Sequence, residues 1–113
     1  MGVNVELRRQ GAAPRRGRVP TTTVDIVIDA HDVFVALLNK YYKSGQNPTL
    51  DRIDPYASTT LHGADIRKLI KELSVITHSA VSDAEKHQLT RITALAEKCS
   101  AQGQDHQLHF VGD

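Results

Sequence analysis

The chain contains little of what disulfide-stabilised folds and aromatic cores require: one cysteine, no tryptophan and five other aromatic residues in 113 positions. A single cysteine excludes an intramolecular disulfide and favours a reducing compartment. Because Cys99 follows Leu95 and Ala96 at helical spacing, the pattern predicts a buried and unreactive thiol. The scarcity of aromatics predicts an aliphatic core.

Long apolar runs are also missing. No run approaches the about 20 residues that a membrane-spanning helix needs, and the first residues lack the apolar core of a signal peptide. We therefore expect a cytoplasmic protein that makes no membrane contact. A length of 113 residues predicts a single domain over 1–113 with one modest core. The formal net charge of +1 favours neither nucleic acid nor a membrane surface as partner.

Alternating apolar and polar residues indicate the strands. Val3, Val5 and Leu7 alternate with polar residues, and the β-branched run 19–28 predicts the hairpin partner of this first strand. Residues 106–111 alternate as a terminal strand, which we expect to close the sheet at its edge. The connection 46–61 can also hold a very short strand at positions 50–53.

Leucine and isoleucine recur at helical spacing over three segments, 33–41, 66–76 and 82–103. Asp29 is a suitable N-cap for the first helix, and Ser44-Gly45 a suitable stop. A break over 77–81 separates the other two helices, and Ser82 with Glu85 has the pattern of a capping box. The combined pattern predicts an α+β fold: a small antiparallel sheet, made of the N-terminal hairpin and the C-terminal strand, covered by about three helices.

An arginine-rich segment joins the first two predicted strands. Segment 10–18 mixes arginine with glycine and proline and predicts a flexible loop. It is the natural candidate for an RNA-binding module, which stays open as an alternative function. However, it has no interleaved aromatic residue on which bases would stack, and the remaining chain offers no basic face. We therefore do not expect nucleic acid to be the partner.

The histidines and carboxylates do not form a recognisable reactive site. His106 and His109 are three apart in a predicted strand, which places them on opposite faces. No cysteine or carboxylate completes a metal-ligand spacing, so we predict no metal and no cofactor. Asp29 and Asp32 are explained by capping and by the positive N-terminal end of the first helix. No serine lies in a nucleophile-elbow context, and we predict no catalytic residue and no enzymatic activity.

The most distinctive feature is a charged connection between two helices, Leu50-Asp51-Arg52-Ile53-Asp54-Pro55-Tyr56. Pro55 fixes its own φ angle, and Asp54 can accept a hydrogen bond from a backbone amide ahead of it in an Asx turn. Arg52 can pair with Asp51, with Asp54 or with a helix C-terminus, and Tyr56 can pack into the core with its hydroxyl in water. The segment is either scaffold only or also a surface that recognises a partner.

Together with the start Met1-Gly2-Val3-Asn4-Val5-Glu6-Leu7 and the closing His109-Phe110-Val111-Gly112-Asp113, this segment resembles a family of small bacterial proteins with a central Ile-Asp-Pro-Tyr motif. Such proteins often serve as immunity proteins beside polymorphic or contact-dependent growth-inhibition toxins. The chain departs from the family pattern at Ala57-Ser58, where the family carries Gly-Asp, and at Leu61-His62-Gly63, where it carries an Asn-Arg-Leu-like stretch.

The resemblance implies an immunity protein that neutralises a cognate toxin domain, for example a nuclease, by occluding its active site or substrate path. Acidic side chains would steer a basic toxin, and an aromatic side chain would anchor it. The candidate partner-binding residues are Asp29, Asp32, Asp51, Arg52, Asp54 and Tyr56. The alternative function is that of a regulatory or adaptor domain, which would bind a different protein through the same surface.

Overall fold

The structure, a computed structural model, describes residues 2–11, 21–41, 47–79, 82–103 and 105–112. Its strands are β1 (Asn4–Gln10), β2 (Thr21–Val27), β3 (Ser58–Leu61) and β4 (His106–Val111). Its α-helices are α1 (Val33–Tyr41), α2 (Ala64–Ser79) and α3 (Asp83–Gln102), with single 3-10 turns at Ala30–Asp32 and Leu50–Arg52. The strands form one antiparallel sheet in the order β2-β1-β4-β3. This arrangement confirms the predicted α+β fold.

The position of the C-terminal strand differs from the expectation. The hairpin of β1 and β2 forms as predicted, with Val5 opposite Val27. Strand β4 pairs with β1 on one side and with β3 on the other, where Leu61 lies opposite Leu108, so β4 lies inside the sheet. The expectation of an edge position is wrong because β3 has only four residues, too few to show an alternating pattern.

The helices cover one face of the sheet. Val5 and Leu7 of β1 and Leu108 and Phe110 of β4 are fully buried on this face. Because side chains alternate along a strand, their neighbours Glu6, Arg8 and His109 lie on the opposite face. The core is largely aliphatic, as predicted. Its exceptions are Phe34 and Phe110, whose ring centroids lie 6.3 Å apart.

The helix limits agree with the sequence patterns at most ends. The predicted capping box is confirmed, since the Glu85 amide donates to Ser82 Oγ and the Ser82 amide donates to Glu85 Oε1, both at 3.1 Å. Helix α2 continues through the predicted break to Ser79, and the Thr77 hydroxyl donates to the Leu73 carbonyl at 2.7 Å within it. The predicted stop at Ser44-Gly45 lies outside the described residues, as do residues 12–18 of the arginine-rich segment.

Cys99 lies on the buried face of α3, as predicted. Burial raises the pKa of its thiol to about 11. Because only the thiolate is a strong nucleophile, the side chain acts as a small apolar core residue. No helix among the described residues combines the length and the apolar composition that crossing a membrane would require.

Candidate functional site

The connection between α1 and α2 begins with a turn that is fixed to α2. Residues Leu50–Arg52 form one turn of 3-10 helix, and the expected short strand at 50–53 is wrong. The amides of Thr49 and Leu50 donate to Glu72 Oε1 at 3.1 and 3.0 Å. A carboxylate from α2 therefore caps the N–H groups at the start of this turn, which have no partner within the turn, with charge-assisted hydrogen bonds.

The predicted Asx turn at Asp54 is confirmed. The amide of Tyr56 donates to Asp54 Oδ1 at 2.8 Å, and the amide of Ala57 donates to the Asp54 carbonyl at 3.3 Å. The amide of Asp54 itself donates to Thr59 Oγ1 at 3.1 Å. Three hydrogen bonds therefore close this turn immediately before β3.

The end of β4 braces the turn from the other side. The amide of Gly112 donates to the Ala57 carbonyl at 2.9 Å. A Cβ atom at position 112 would collide with the backbone carbonyl of Pro55, so this close approach requires glycine. The central segment 50–56 and the closing residues 109–112 are far apart in the sequence, and they meet where Gly112 contacts Pro55 and Ala57.

Tyr56 does not pack into the core, and that part of the prediction is wrong. Its side chain is 67% exposed, whereas Leu50 and Ile53 are buried. These two aliphatic residues attach the segment to the core, which leaves the aromatic ring on the surface. An exposed tyrosine on a backbone held by several hydrogen bonds is typical of a contact residue in protein interfaces.

Arg52 pairs with a residue that the sequence pattern does not suggest. Its Nη1 lies 2.9 Å from Oδ2 of Asp65, in the first turn of α2, instead of pairing with Asp51, Asp54 or a helix C-terminus. The hydrogen bond from Arg52 lowers the pKa of Asp65. This surface pair engages the guanidinium with α2 instead of with the Asp54 carboxylate.

A cleft of about 400 Å³ lies between α1 and the segment 50–56. Leu38, Leu50 and Ile53 line it with buried aliphatic side chains. The other lining side chains are exposed or half-buried, and they are Asn39, Asp51, Arg52, Asp54, Pro55 and Tyr56. The cleft therefore has an apolar floor and a polar rim.

Asp29 is a structural group at the start of α1. It is 7% exposed, and its carboxylate accepts the amides of Val3, Phe34 and Val35 at 2.9, 2.8 and 3.0 Å. Two of these amides belong to the first turn of the helix, so the Asp29 side chain caps α1 as predicted, although a 3-10 turn separates Asp29 from the start of α1 at Val33. All three bonds go to the protein's own backbone, so we leave Asp29 out of the surface available to a partner.

Asp32 lies on the surface in an unusual backbone conformation. Its φ angle is +57°, and that of His31 is +56°, in the left-handed region that non-glycine residues seldom adopt. Both residues lie in the turn Ala30–Asp32 that links β2 to α1. Asp32 thereby presents its side chain beside Asp29, and the backbone of Gly2 passes close to both carboxylates.

The strand register places the candidate residues at one end of the sheet. Val27 at the end of β2 pairs with Val5, and Ser58 at the start of β3 pairs with Val111, which also pairs with Asn4. The outer strands are three strand spacings apart, about 14 Å. The exposed candidates that share this end are Asp32, Asp54 and Tyr56.

A polar network on the helix-free face of the sheet was not predicted. The ring of His109 contacts Thr60 Oγ1 through Nδ1 at 3.4 Å and Gln107 Nε2 through Nε2 at 2.7 Å. Gln107 Oε1 in turn accepts from Gln10 Nε2 at 3.2 Å. Burial and the nearby charge of Arg8 lower the pKa of His109. The sequence gives only the alternation that places His109 on this face.

Comparisons of the chain with protein-family models, curated proteins and solved structures find no match. The family resemblance and the absence of an enzymatic activity therefore stay predictions. Within the described residues, no group of three or more histidine, cysteine, aspartate or glutamate side chains could hold a metal ion. The features that bear on function are the turn at Asp54 with the exposed Tyr56 and the cleft beside it.

Proposed function

We propose that this protein is a cytoplasmic immunity protein that binds a cognate toxin domain and neutralises it by covering its active site or substrate path. The observation that carries the proposal is the exposure of Tyr56 on a rigid turn, beside the carboxylate of Asp54 and the cleft. The resemblance described above supplies the class of partner. Such a function needs a preformed surface and no catalytic residue.

The rigidity of the turn favours binding. Ordering a side chain or a loop on association costs free energy, and a segment already held in place avoids most of that cost. Tyrosine is among the residues that most often dominate the binding free energy of an interface. The carboxylates of Asp54, next to Tyr56, and of Asp32, across the same end of the sheet, would accelerate the approach of a basic toxin domain and select against acidic proteins.

The test uses the C-terminal domain of any large secreted protein encoded immediately upstream of this gene. That domain is produced in bacteria with and without the present protein, and growth and calorimetric binding are measured. We expect protection by the wild-type protein. Replacing the anchor in the variant Tyr56→Ala should weaken binding about thirtyfold, the effect of a typical hot-spot residue.

Val75→Ala is the matched control. Val75 lies on α2, is 64% exposed and is another large apolar residue on the surface. The Val75→Ala variant should bind the toxin domain and protect growth like the wild type. A variant with Arg15, Arg16 and Arg18 replaced by alanine should do the same. If the Tyr56→Ala and Val75→Ala variants bind the toxin domain equally well, the surface around Tyr56 is not the binding surface. Binding without growth protection would favour the adaptor alternative, and the absence of any toxin gene would contradict the proposal.

A further inference from the structure

We propose that the cleft between α1 and the segment 50–56 accepts one arginine side chain of the partner. This inference rests on the proposed function, because it describes the chemistry by which the toxin domain would be recognised. The cleft has the mixed character that a long cationic side chain requires, with aliphatic residues below and polar groups at the rim.

The apolar floor suits the stem of the incoming side chain. Leu38 of α1 and Leu50 and Ile53 of the connection line the cleft and are all nearly inaccessible to solvent. Arginine covers such surface with its methylene groups while keeping its charged end in contact with water or with an acid. A volume of about 400 Å³ is in the range that small ligands occupy in proteins.

The rim supplies two partners for a guanidinium group. Asp54 uses Oδ1 to accept the Tyr56 amide, and within the described residues its other oxygen has no hydrogen-bond partner. The exposed ring of Tyr56 can stack against a planar cation. Arginine meets both requirements better than lysine, because its guanidinium is planar, weakly hydrated and able to bond a carboxylate with two N–H groups.

The cation already in the cleft wall does not oppose this occupant. Arg52 lines the cleft, but its guanidinium pairs with Asp65 at 2.9 Å. The charge of Arg52 is thus balanced by an acid of α2, which itself does not line the cleft. With Arg52 paired in this way, the carboxylate of Asp54 at the rim favours a cationic ligand.

The first experiment needs no toxin. The protein labelled with ¹⁵N is titrated with the peptides acetyl-Gly-Arg-Gly-amide, acetyl-Gly-Lys-Gly-amide and acetyl-Gly-Leu-Gly-amide at millimolar concentrations, and amide shifts are recorded. We expect saturable shifts for the amides of Asn39, Ile53, Asp54, Tyr56 and Ala57 with the arginine peptide only. Asp54→Asn should weaken this binding roughly two- to fivefold, because asparagine can still accept the Tyr56 amide while the charge is lost.

Glu97→Gln is the matched control, since it removes one exposed carboxylate from α3 and should change nothing. Tyr56→Ala should also lower the affinity for the arginine peptide roughly two- to fivefold, because the stacking contact is lost. Equal shifts with the lysine peptide would overturn the assignment to arginine. Unchanged affinity in the Asp54→Asn variant, whose fold is checked by its amide spectrum, would overturn the proposed site.

The toxin domain separates this inference from the proposed function. If the domain binds wild-type and Asp54→Asn proteins equally, with the same salt dependence, the arginine site is wrong while the immunity function stands. If the arginine peptide binds the cleft but no toxin domain binds the protein, the immunity function fails while the cleft retains its specificity. If the toxin domain binds the Asp54→Asn variant more weakly and with less salt dependence, while it binds the Glu97→Gln control like the wild type, both the immunity function and the arginine site are supported.

Discussion

A large effect on stability is expected at Asp29, whose carboxylate joins the residue before β1 to the first turn of α1. In the variant Asp29→Asn, one oxygen of the carboxylate is replaced by an NH₂ group. Oδ2 accepts the amides of Val3 and Val35, and Oδ1 accepts that of Phe34. The asparagine oxygen can replace only one of these two oxygens, so its NH₂ group would face at least one backbone donor.

The magnitude follows from the hydrogen bonds that are lost. A hydrogen bond to a charged group contributes about 1.5–3 kcal/mol, and Asp29→Asn removes one or two of the three while eliminating the charge. We therefore expect the free energy of unfolding to fall by about 2–4 kcal/mol, a large part of the roughly 5–15 kcal/mol typical of small proteins. Asp29→Ala, which removes all three bonds, should destabilise the protein further.

Urea unfolding followed by circular dichroism measures this change. With a denaturant dependence of about 1–3 kcal/mol per molar urea, the midpoint should fall by roughly 1–3 M. Glu97→Gln on the exposed face of α3 serves as the control and should stay within about 0.5 kcal/mol of the wild type. An Asp29→Asn midpoint equal to that of the control would refute the assignment of Asp29 to the fold.

Three further outcomes follow from the structure. Gly112→Ala should lower the free energy of unfolding by roughly 1–3 kcal/mol in the same urea assay, because its methyl group meets the Pro55 carbonyl; an unchanged midpoint would contradict the close approach. The lowered pKa of His109 means that the unfolded chain binds a proton more readily, so stability should fall as the pH drops below about 7 and level off below the folded-state pKa. His109→Gln should reduce this slope between about pH 7.5 and 5.5, and an identical slope would show that other groups cause it. Cys99, with its pKa of about 11, should react with a thiol reagent only after unfolding, and rapid reaction of the native protein would disprove its burial.

Much of the fold is predictable because its elements carry strong local patterns. The alternation in β1 and the 3.6-residue period of the helices identify faces that must be buried, whatever covers them. The capping box at Ser82 is a local arrangement of side chain and backbone, and it forms as predicted. Strand β3 is different, since Ser58–Leu61 becomes a strand only because β4 lies beside it.

The candidate site shows the same division. The Asx turn at Asp54 depends on atoms two residues apart and follows from local sequence. The pairing of Arg52 with Asp65 and the exposure of Tyr56 depend on where α2 lies and on which side chains fill the core below. Local sequence patterns contain no information on the packing of α2 or on the filling of the core. The sequence could therefore suggest several partners for Arg52 without selecting one.

The sequence by itself therefore determines the class of fold, the helix starts, the aliphatic core and the chemical character of the segment 50–56. These properties depend on periodicity and on hydrogen bonds between near neighbours. Only the tertiary structure decides that β4 is central, that Asp29 is committed to the backbone, and that the Pro55 turn rests on Gly112 with Tyr56 facing solvent. Those outcomes depend on contacts between residues far apart in the chain, which form only when the whole core packs.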